Sequence, residues 1–137
     1  MKKKFLLACL ISAVFAAPAG AWELWDQFKA TNLTPEGRVV DYSEAKLITT
    51  SEGQSYGMFF ALVANDKKAF DEMFAWTEKN LGENQPAWLW GIPDGTPNGT
   101  GKILDTNNAT DSDMWIAYCL IEAARIWNDP SYLPKAD

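Results

Sequence analysis

Residues 109–127 read ATDSDMWIAYCLIEAARIW, and this stretch decides the fold class. Its apolar side chains recur at helical spacing, which predicts a long helix that begins at Thr110 or Asp111. The pattern ends before Pro130, because proline cannot continue a helix. One face of the predicted helix carries Met114, Ala117, Tyr118, Ile121, Ala124 and Arg125. A long amphipathic segment of this kind favours a helical protein.

Three stretches before this helix also show helical spacing. Residues 22–30 predict a short amphipathic helix, and residues 53–64 predict a second one with Ser51 as its N-cap. A third predicted helix is capped by Asp66 and ends near Gly82. The predicted core residues are Trp22, Leu24, Trp25 and Phe28 on the first helix, and Phe70, Met73, Phe74 and Thr77 on the third. Because strand signals are weak, we expect an all-α protein with three or four helices.

A loop rich in proline and glycine is predicted for residues 83–101, which include PAWLWGIPDGTPNGTG. Trp88 and Trp90 lie in this loop, where we expect them to be exposed. Flat aromatic faces stack on the C–H faces of sugar rings as they do on other flat surfaces. The tryptophans at helical spacing are instead predicted core residues: Trp25, Trp76 and Trp127.

The charge balance and the absence of histidine restrict the chemistry. The 137 residues include 18 acidic and 12 basic side chains, a net charge of −6, and three of the basic residues lie at positions 2–4. We therefore expect no nucleic-acid binding, and an acidic groove with exposed tryptophan suits a neutral polysaccharide. Without histidine, a Ser-His-Asp triad or a histidine-ligated zinc site is excluded within this chain. Acid–base chemistry has to use carboxylates, tyrosine or lysine.

The N-terminus has the pattern of a secretory signal peptide. Residues 1–21 read MKKKFLLACLISAVFAAPAGA, with a cationic start, an apolar run and small residues before a cleavage site after Ala21. The apolar run is too short for a permanent membrane helix. We therefore expect a periplasmic or secreted protein whose mature part is residues 22–137. That part retains only Cys119, so an internal disulfide is not expected.

Glu52 is the first candidate for catalysis. It lies in TTSEGQSYG (residues 49–57), in the predicted first turn of a helix and between small residues that let a large ligand approach. Its carboxylate either only complements the helix dipole or acts as a general acid. A general acid at this position needs burial or a second carboxylate nearby, because the helix dipole lowers a carboxyl pKa.

A second acidic cluster, DTNNATDSD, spans residues 105–113 and ends at the start of the long helix. A calcium loop is not supported, because Thr110 and Ile116 stand where that loop requires glycine and glutamate. Asp111 is then either the N-cap of the helix, or a carboxylate that faces Glu52 across a groove and supplies the like charge that raises a pKa.

Both segments resemble motifs of glycoside hydrolase family 8. TTSEGQSYGM (residues 49–58) is similar to the family's general-acid motif, and residues 109–127 are similar to its signature helix. The resemblance runs from residue 22 to about residue 127 and is strongest to periplasmic cellulases that accompany bacterial cellulose synthase. It implies an inverting endo-β-1,4-glucanase that acts on β-glucan without metal or cofactor. It also implies a monomer at full length that associates with the cellulose-synthesis machinery.

The resemblance implies roles for five residues. Glu52 would be the general acid that protonates the glycosidic oxygen, and Asp111 would contact the substrate at the centre of the cleft. Trp90 and Trp88 would stack on sugar rings. Tyr56, one turn after Glu52, would shape the same subsite.

The family fold is a barrel of six helical hairpins, which needs on the order of 200 residues or more. The 116 residues after the predicted signal peptide would form only its N-terminal part. The family's catalytic base is an aspartate downstream of the signature helix, and nothing after Trp127 matches it. We therefore expect an incomplete barrel without the base, inactive by itself. The faces left uncovered would carry Phe59, Phe60, Leu62 and the stripe over residues 114–126.

Two alternatives from other classes stay open. The chain could be a non-catalytic exported protein that binds glucan. It could also be an exported helical protein that buries its apolar faces against a partner.

Overall fold

The computed structural model describes residues 22–96 and 99–136. Its four α-helices are α1 (Glu23–Asn32), α2 (Ser51–Val63), α3 (Lys67–Leu81) and α4 (Thr110–Ile126). Its three strands are β1 (Thr49–Thr50), β2 (Ala87–Gly91) and β3 (Lys102–Asn108), and a short 3-10 helix (Pro130–Lys135) follows α4. The signal peptide predicted for residues 1–21 lies outside the described residues. Within the described ranges, none of the helices has the length and apolarity needed to cross a bilayer.

The helix starts follow from capping. Asp66 caps α3 as predicted, because its side chain accepts a hydrogen bond from the Ala69 N–H at 3.1 Å. For α2 the prediction is wrong by one residue: the N-cap is Thr50, whose hydroxyl accepts from the Gly53 N–H at 2.9 Å. Asp111 is not an N-cap either, since α4 already begins at Thr110.

Helices α2, α3 and α4 pack around one apolar core. Met58 from α2, Met73 from α3 and Leu120 from α4 are completely buried in it. The predicted face of α3 is confirmed, with every member buried: Phe70, Met73, Phe74 and Thr77. Trp25 and Trp76 are buried as predicted, and Trp127 is half-buried with its ring 5.1 Å from that of Phe70. The core therefore forms where the helical periodicity is strongest.

Helix α1 buries less than predicted. Trp25 is only 1% exposed, and Phe28 is half-buried with its ring stacked 5.6 Å from that of Trp25. The expected burial of Trp22 and Leu24 is wrong, because both side chains are exposed. A single turn of α1 thus contacts the core, while the Trp22 ring packs edge-to-face on the exposed Phe60 at 5.6 Å between ring centroids.

The small sheet was not predicted. The loop expected over residues 83–101 is wrong, since β2 lies inside it and pairs with both other strands in antiparallel fashion. Thr49 lies opposite Trp90, and Leu89 lies opposite Asp105. The β2–β3 pairing shifts register on both sides of Leu89, which disturbs the alternation that would have indicated a strand. The fold is therefore dominated by helices, as predicted, with a sheet beside them.

The sheet places two helix N-termini at the same edge. Strands β1 and β3 are both antiparallel to β2, so they run in the same direction and their C-terminal ends share one edge. Helix α2 starts directly after β1, and α4 starts two residues after the end of β3. The first turns of α2 and α4 therefore lie at the same end of the molecule.

The predicted stripe on α4 is largely exposed. Met114, Tyr118 and Ile121 are 69%, 47% and 49% exposed, respectively, and α4 uses the opposite side to pack against α2. The buried residues of α4 are Ser112, Ile116, Cys119, Leu120 and Ala123, and the Cys119 thiol lies 3.9 Å from the Ser55 carbonyl oxygen. The expectation of open apolar faces is confirmed for this stripe and for the exposed Phe60; it is wrong for Leu62, which is buried, and Phe59 is half-buried.

Candidate active site

Glu52 and Asp111 hold equivalent positions in their helices. Each is the second residue of a helix, α2 for Glu52 and α4 for Asp111, and both side chains are exposed. The partial positive charge at a helix N-terminus favours an acidic side chain there, so neither carboxylate is out of place by itself. What the fold adds is that both N-termini lie at one edge of the sheet.

Tyr56 connects the two carboxylates. It lies one helical turn after Glu52. The neighbouring Glu52 carboxylate, as hydrogen-bond acceptor and as a charge, and then the charge of Asp111 raise the pKa of Tyr56 above its ordinary value. Because both carboxylates affect the pKa of this phenol, the three side chains predicted from the sequence form one cluster.

The cluster continues into an aromatic wall on α4. The ring of Trp115 lies 6.1 Å from that of Tyr56 and 5.6 Å from that of Tyr118, in edge-to-face geometry both times. An open pocket of about 310 Å³ lies beside Asp111 and is lined by Asp111, Met114, Trp115 and Tyr118. The carboxylates therefore lie next to a surface with large apolar rings.

The start of α4 is tied to the sheet by a contact that the sequence pattern did not reveal. The Asn108 side-chain amide donates to Asp113 Oδ2 at 2.6 Å, across the junction between β3 and α4. Asp113 is the last residue of the acidic cluster DTNNATDSD. Its bond to Asn108 fixes the direction in which α4, and with it Asp111, leaves the sheet.

Trp90 does not have the exposure that was expected for it. It is half-buried, and the Arg38 guanidinium carbon lies 4.2 Å from its ring centroid. The Trp76 and Trp90 ring centroids are 5.4 Å apart in edge-to-face geometry. A Cβ on Gly101 would lie 1.8 Å from a Trp90 ring carbon, so the glycine backbone packs directly on the indole. Trp90 is therefore a packed residue at the sheet, enclosed by Arg38, Trp76 and Gly101.

Trp88 has the exposure that was expected. It is 37% exposed and lies near the Asp105 carboxylate. Asp105 accepts a hydrogen bond from the Asn107 N–H at 2.9 Å, and this bond, with a smaller contribution from Trp88, lowers the pKa of Asp105. An open pocket of about 470 Å³ adjoins the Trp88 ring, lined by Glu44, Ala45, Lys46, Ile48, Trp88, Leu89, Leu104 and Asp105. Asp105 thus belongs to the Trp88 pocket, a placement that depends on the β2–β3 pairing.

The cluster of Glu52, Asp111 and Tyr56 can exchange protons and hydrogen-bond to hydroxyl groups. In residues 22–96 and 99–136, no three His, Cys, Asp or Glu side chains lie close enough together to hold a metal ion. What the site offers is two carboxylates, a phenol and neighbouring aromatic rings, in keeping with acid–base chemistry on a polyhydroxylated substrate.

Comparison with known proteins identifies the family. The family model for glycosyl hydrolases family 8 matches residues 1–137. An endoglucanase of Escherichia coli O157:H7 is 48% identical over 133 residues, which are 93% of this chain and 35% of that protein. The chain thus spans about a third of the length of such relatives.

Solved structures show the same relationship. The crystal structure of an endo-1,4-D-glucanase from Vibrio fischeri ES114 matches with a TM-score of 0.75 and 52% identity, over 84% of this chain and 34% of that one. The endo-β-1,4-glucanase CMCax from Acetobacter xylinum matches with a TM-score of 0.71 and 36% identity, over 88% and 37%. These are helical barrels of six hairpins, so the described helices form part of such a barrel. The chain belongs to glycosyl hydrolases family 8.

Proposed function

We propose that the whole protein to which this chain belongs is an endo-β-1,4-glucanase that hydrolyses β-glucan with inversion of configuration. The observation that carries the proposal is the cluster of Glu52, Tyr56 and Asp111 at two neighbouring helix N-termini, in a chain of this family. The names of the relatives agree with it, since the matched Escherichia coli protein is an endoglucanase.

In this proposal Glu52 is the general acid. Protonated Glu52 gives its proton to the glycosidic oxygen as the bond to the anomeric carbon breaks, and a base removes a proton from the water that attacks the opposite face. The two carboxyl groups of inverting enzymes are separated by about 6.5–9.5 Å to leave room for that water. The base would come from the remaining two thirds of the fold that the relatives possess.

Asp111 has two proposed tasks. It contacts the sugar at the cleft centre, where a carboxylate accepts hydrogen bonds from hydroxyl groups. Its second task is to bound, together with Glu52, the place where the glycosidic oxygen lies. Tyr56, whose phenol lies near both carboxylates, shapes the same subsite.

Sugar rings are bound by aromatic side chains in this proposal. Trp88 offers an exposed face next to the Asp105 carboxylate and an open pocket. Trp90 lies two residues further along β2, with much of its ring covered by protein. We therefore assign direct stacking first to Trp88 and a supporting role to Trp90.

We also propose that the protein is exported and that it associates with other proteins. The support for export is the signal-peptide pattern of residues 1–21, which leads to the periplasm or the outside of the cell. A neutral β-glucan is the proposed partner, the whole protein is proposed to act as a monomer, and an association with the cellulose-synthesis machinery follows from the resemblance alone.

The test is hydrolysis by the whole protein, produced from the complete reading frame. We expect reducing-sugar release from carboxymethylcellulose, and proton NMR should show the α-anomer as the first product. Binding of cello-oligosaccharides without hydrolysis would favour the glucan-binding alternative. A β-anomer as first product would contradict inversion. The 137-residue chain alone is expected to release no reducing sugar.

A further inference from the structure

Arg38 is a half-buried cation on the segment between α1 and β1. It forms no ion pair with any acidic side chain in residues 22–96 and 99–136. Burial lowers the pKa of the Arg38 guanidinium, with a smaller opposing effect from Tyr42. Removing a charge from water is costly unless other contacts compensate for it. The contacts of this guanidinium therefore show why an arginine stands there.

Three contacts hold the guanidinium group. Nε donates to the Thr49 hydroxyl at 2.9 Å, and Nη2 donates to the Leu47 carbonyl oxygen. The guanidinium carbon lies 4.2 Å from the centroid of the Trp90 ring. Leu47 has a φ of +47°, a left-handed conformation that is uncommon for leucine and needs support from its surroundings. Arg38 supplies that support at the carbonyl of the same residue.

These contacts lead directly to the helix that carries Glu52. The Thr49 hydroxyl accepts from Arg38 and donates to the Val39 carbonyl at 2.6 Å, so two bonds tie β1 to the segment of residues 38–39. The next residue, Thr50, is the N-cap of α2. Glu52 follows two residues later. A shift of β1 would therefore move the first turn of α2 and the Glu52 carboxylate with it.

The cross-strand pairing places Trp90 beside Thr49 and the Arg38 guanidinium. Trp90 lies opposite Thr49 in the β1–β2 ladder, and the Arg38 guanidinium contacts both side chains. Only a planar group with several donors in a fixed arrangement can stack on an indole and bond to two acceptors at its edge. A lysine could keep the charge over the ring, but its single ammonium group could not reproduce this geometry.

We propose that Arg38 is a positioning residue for Glu52: through Thr49, Leu47 and Trp90 it fixes β1, and thereby the N-terminal turn of α2 that presents the general acid. The inference rests on the proposed glucanase function. Because it concerns the placement of an acid that acts in the transition state, it predicts an effect on kcat and little effect on KM.

The first test uses the whole protein and cello-oligosaccharide hydrolysis. We expect Arg38→Lys to lower kcat by about tenfold or more and to leave KM within about twofold. Lys29→Met is the matched control, because Lys29 is also a cation near a tryptophan, 5.4 Å from the Trp25 ring, but far from β1 in sequence. It should lower Tm and leave kcat unchanged. A parental kcat in Arg38→Lys would overturn the proposal.

A second pair of variants avoids changing the cation itself. Thr49→Val removes the hydroxyl that bonds to Arg38, and Thr49→Ser keeps it. We expect the valine variant to repeat the kcat loss and the serine variant to retain most of the activity. Equal kcat values for the two variants would contradict the role given to this bond.

A spectroscopic measurement separates this inference from the proposed function. The edge-to-face pair of Trp76 and Trp90, with ring centroids 5.4 Å apart, should give a near-UV circular dichroism signal that Trp90→Phe removes. Arg38→Lys should weaken the same signal. If the parent protein hydrolyses no glucan, the proposed function fails, and this signal still tests the Arg38 contacts. An unchanged signal in Arg38→Lys would refute them.

Discussion

Glu52 and Asp111 occupy the same position in two different helices that start at one edge of the same sheet. Each is the second residue of its helix, and the phenol of Tyr56 senses both carboxylates. The parallel course of β1 and β3 on either side of β2 produces this arrangement. Two residues 59 positions apart in the sequence thus lie in one site, because the β1–α2 and β3–α4 junctions lie at the same end of the sheet.

The two tryptophans of β2 should respond differently to truncation. Trp88→Ala removes an exposed ring, so we expect a 2- to 10-fold rise in KM for cello-oligosaccharides, as roughly estimated for lost aromatic stacking, with little change in Tm. Trp90→Ala removes a ring packed against Arg38 and Trp76, so it should cost about 2 kcal/mol or more of stability. Melting curves and steady-state kinetics of both variants check this. The reverse pattern would show that Trp90 is the sugar platform.

Tyr56 should ionise later than an ordinary tyrosine. The neighbouring Glu52 carboxylate, as hydrogen-bond acceptor and as a charge, and then the charge of Asp111 raise its pKa above the ordinary value of 10.0. The stabilisation from this contact is full below pH 10.0 and is lost as the pH rises through the raised value in the folded protein. An ultraviolet titration of tyrosinate should lose a late-ionising group in Tyr56→Phe, and Glu52→Gln should move that group to lower pH. A Tyr56 phenol that ionises below pH 10.0 would contradict the contact.

Asp66 should make stability depend on pH in the acidic range. Burial alone would raise the pKa of Asp66, but hydrogen bonds from Lys29, the Ala69 N–H and Trp25 outweigh it and lower the pKa. This stabilisation is present above the ordinary value of 3.8 and is lost as the pH falls through the lowered value.

Asp66→Asn should therefore cost about 1–2 kcal/mol near pH 7, and the difference from the parent should shrink below pH 4, as roughly expected for a lost charge-assisted hydrogen bond. Asp26→Asn is the matched control, because Asp26 contacts the same Lys29 at 3.4 Å but is exposed. It should change stability much less. Thermal melts between pH 2 and 7 check both variants, and a constant difference for Asp66→Asn across that range would speak against the assignment.

The exposed stripe of α4 should make the isolated segment 22–137 associate. Met114 and Ile121 are about half-exposed or more, so the segment should bind a hydrophobic dye and show poor solubility. The double variant Met114→Glu/Ile121→Glu should reduce dye binding without unfolding the segment. Ile116→Glu, at a buried position of the same helix, should unfold it. A soluble monomer with one sharp cooperative melt and no dye binding would contradict this view of the stripe.

Helical periodicity explains why much of the fold could be predicted. The face of α3 and its Asp66 cap depend on residues three or four positions apart, and both are as predicted. Strand β2 has no such local signal. Its five residues follow Pro86 and end at Gly91, and its partners on β1 and β3 lie outside any local repeat, with Thr49 opposite Trp90 and Asp105 opposite Leu89. A pairing of that kind depends on the tertiary structure.

The site shows the same division. From the residue pattern alone, Glu52 could be a simple dipole partner and Asp111 a helix N-cap, and the resemblance to the family was needed to favour catalysis. Their proximity depends on the sheet, which the pattern did not indicate. The covered position of Trp90 depends on Arg38, which lies 52 residues earlier and carries no motif. The roles of the five predicted site residues stay predictions until variants are measured.

Glu52→Gln in the whole protein tests whether Glu52 donates the proton to the glycosidic oxygen. Glutamine keeps the size of the side chain but cannot transfer a proton, so kcat on cello-oligosaccharides should fall by about 100-fold or more, with Tm unchanged. Glu23→Gln makes the same substitution in the first turn of α1 and should retain full activity. A kcat equal to that of the parent in Glu52→Gln would contradict the role of Glu52 as the general acid.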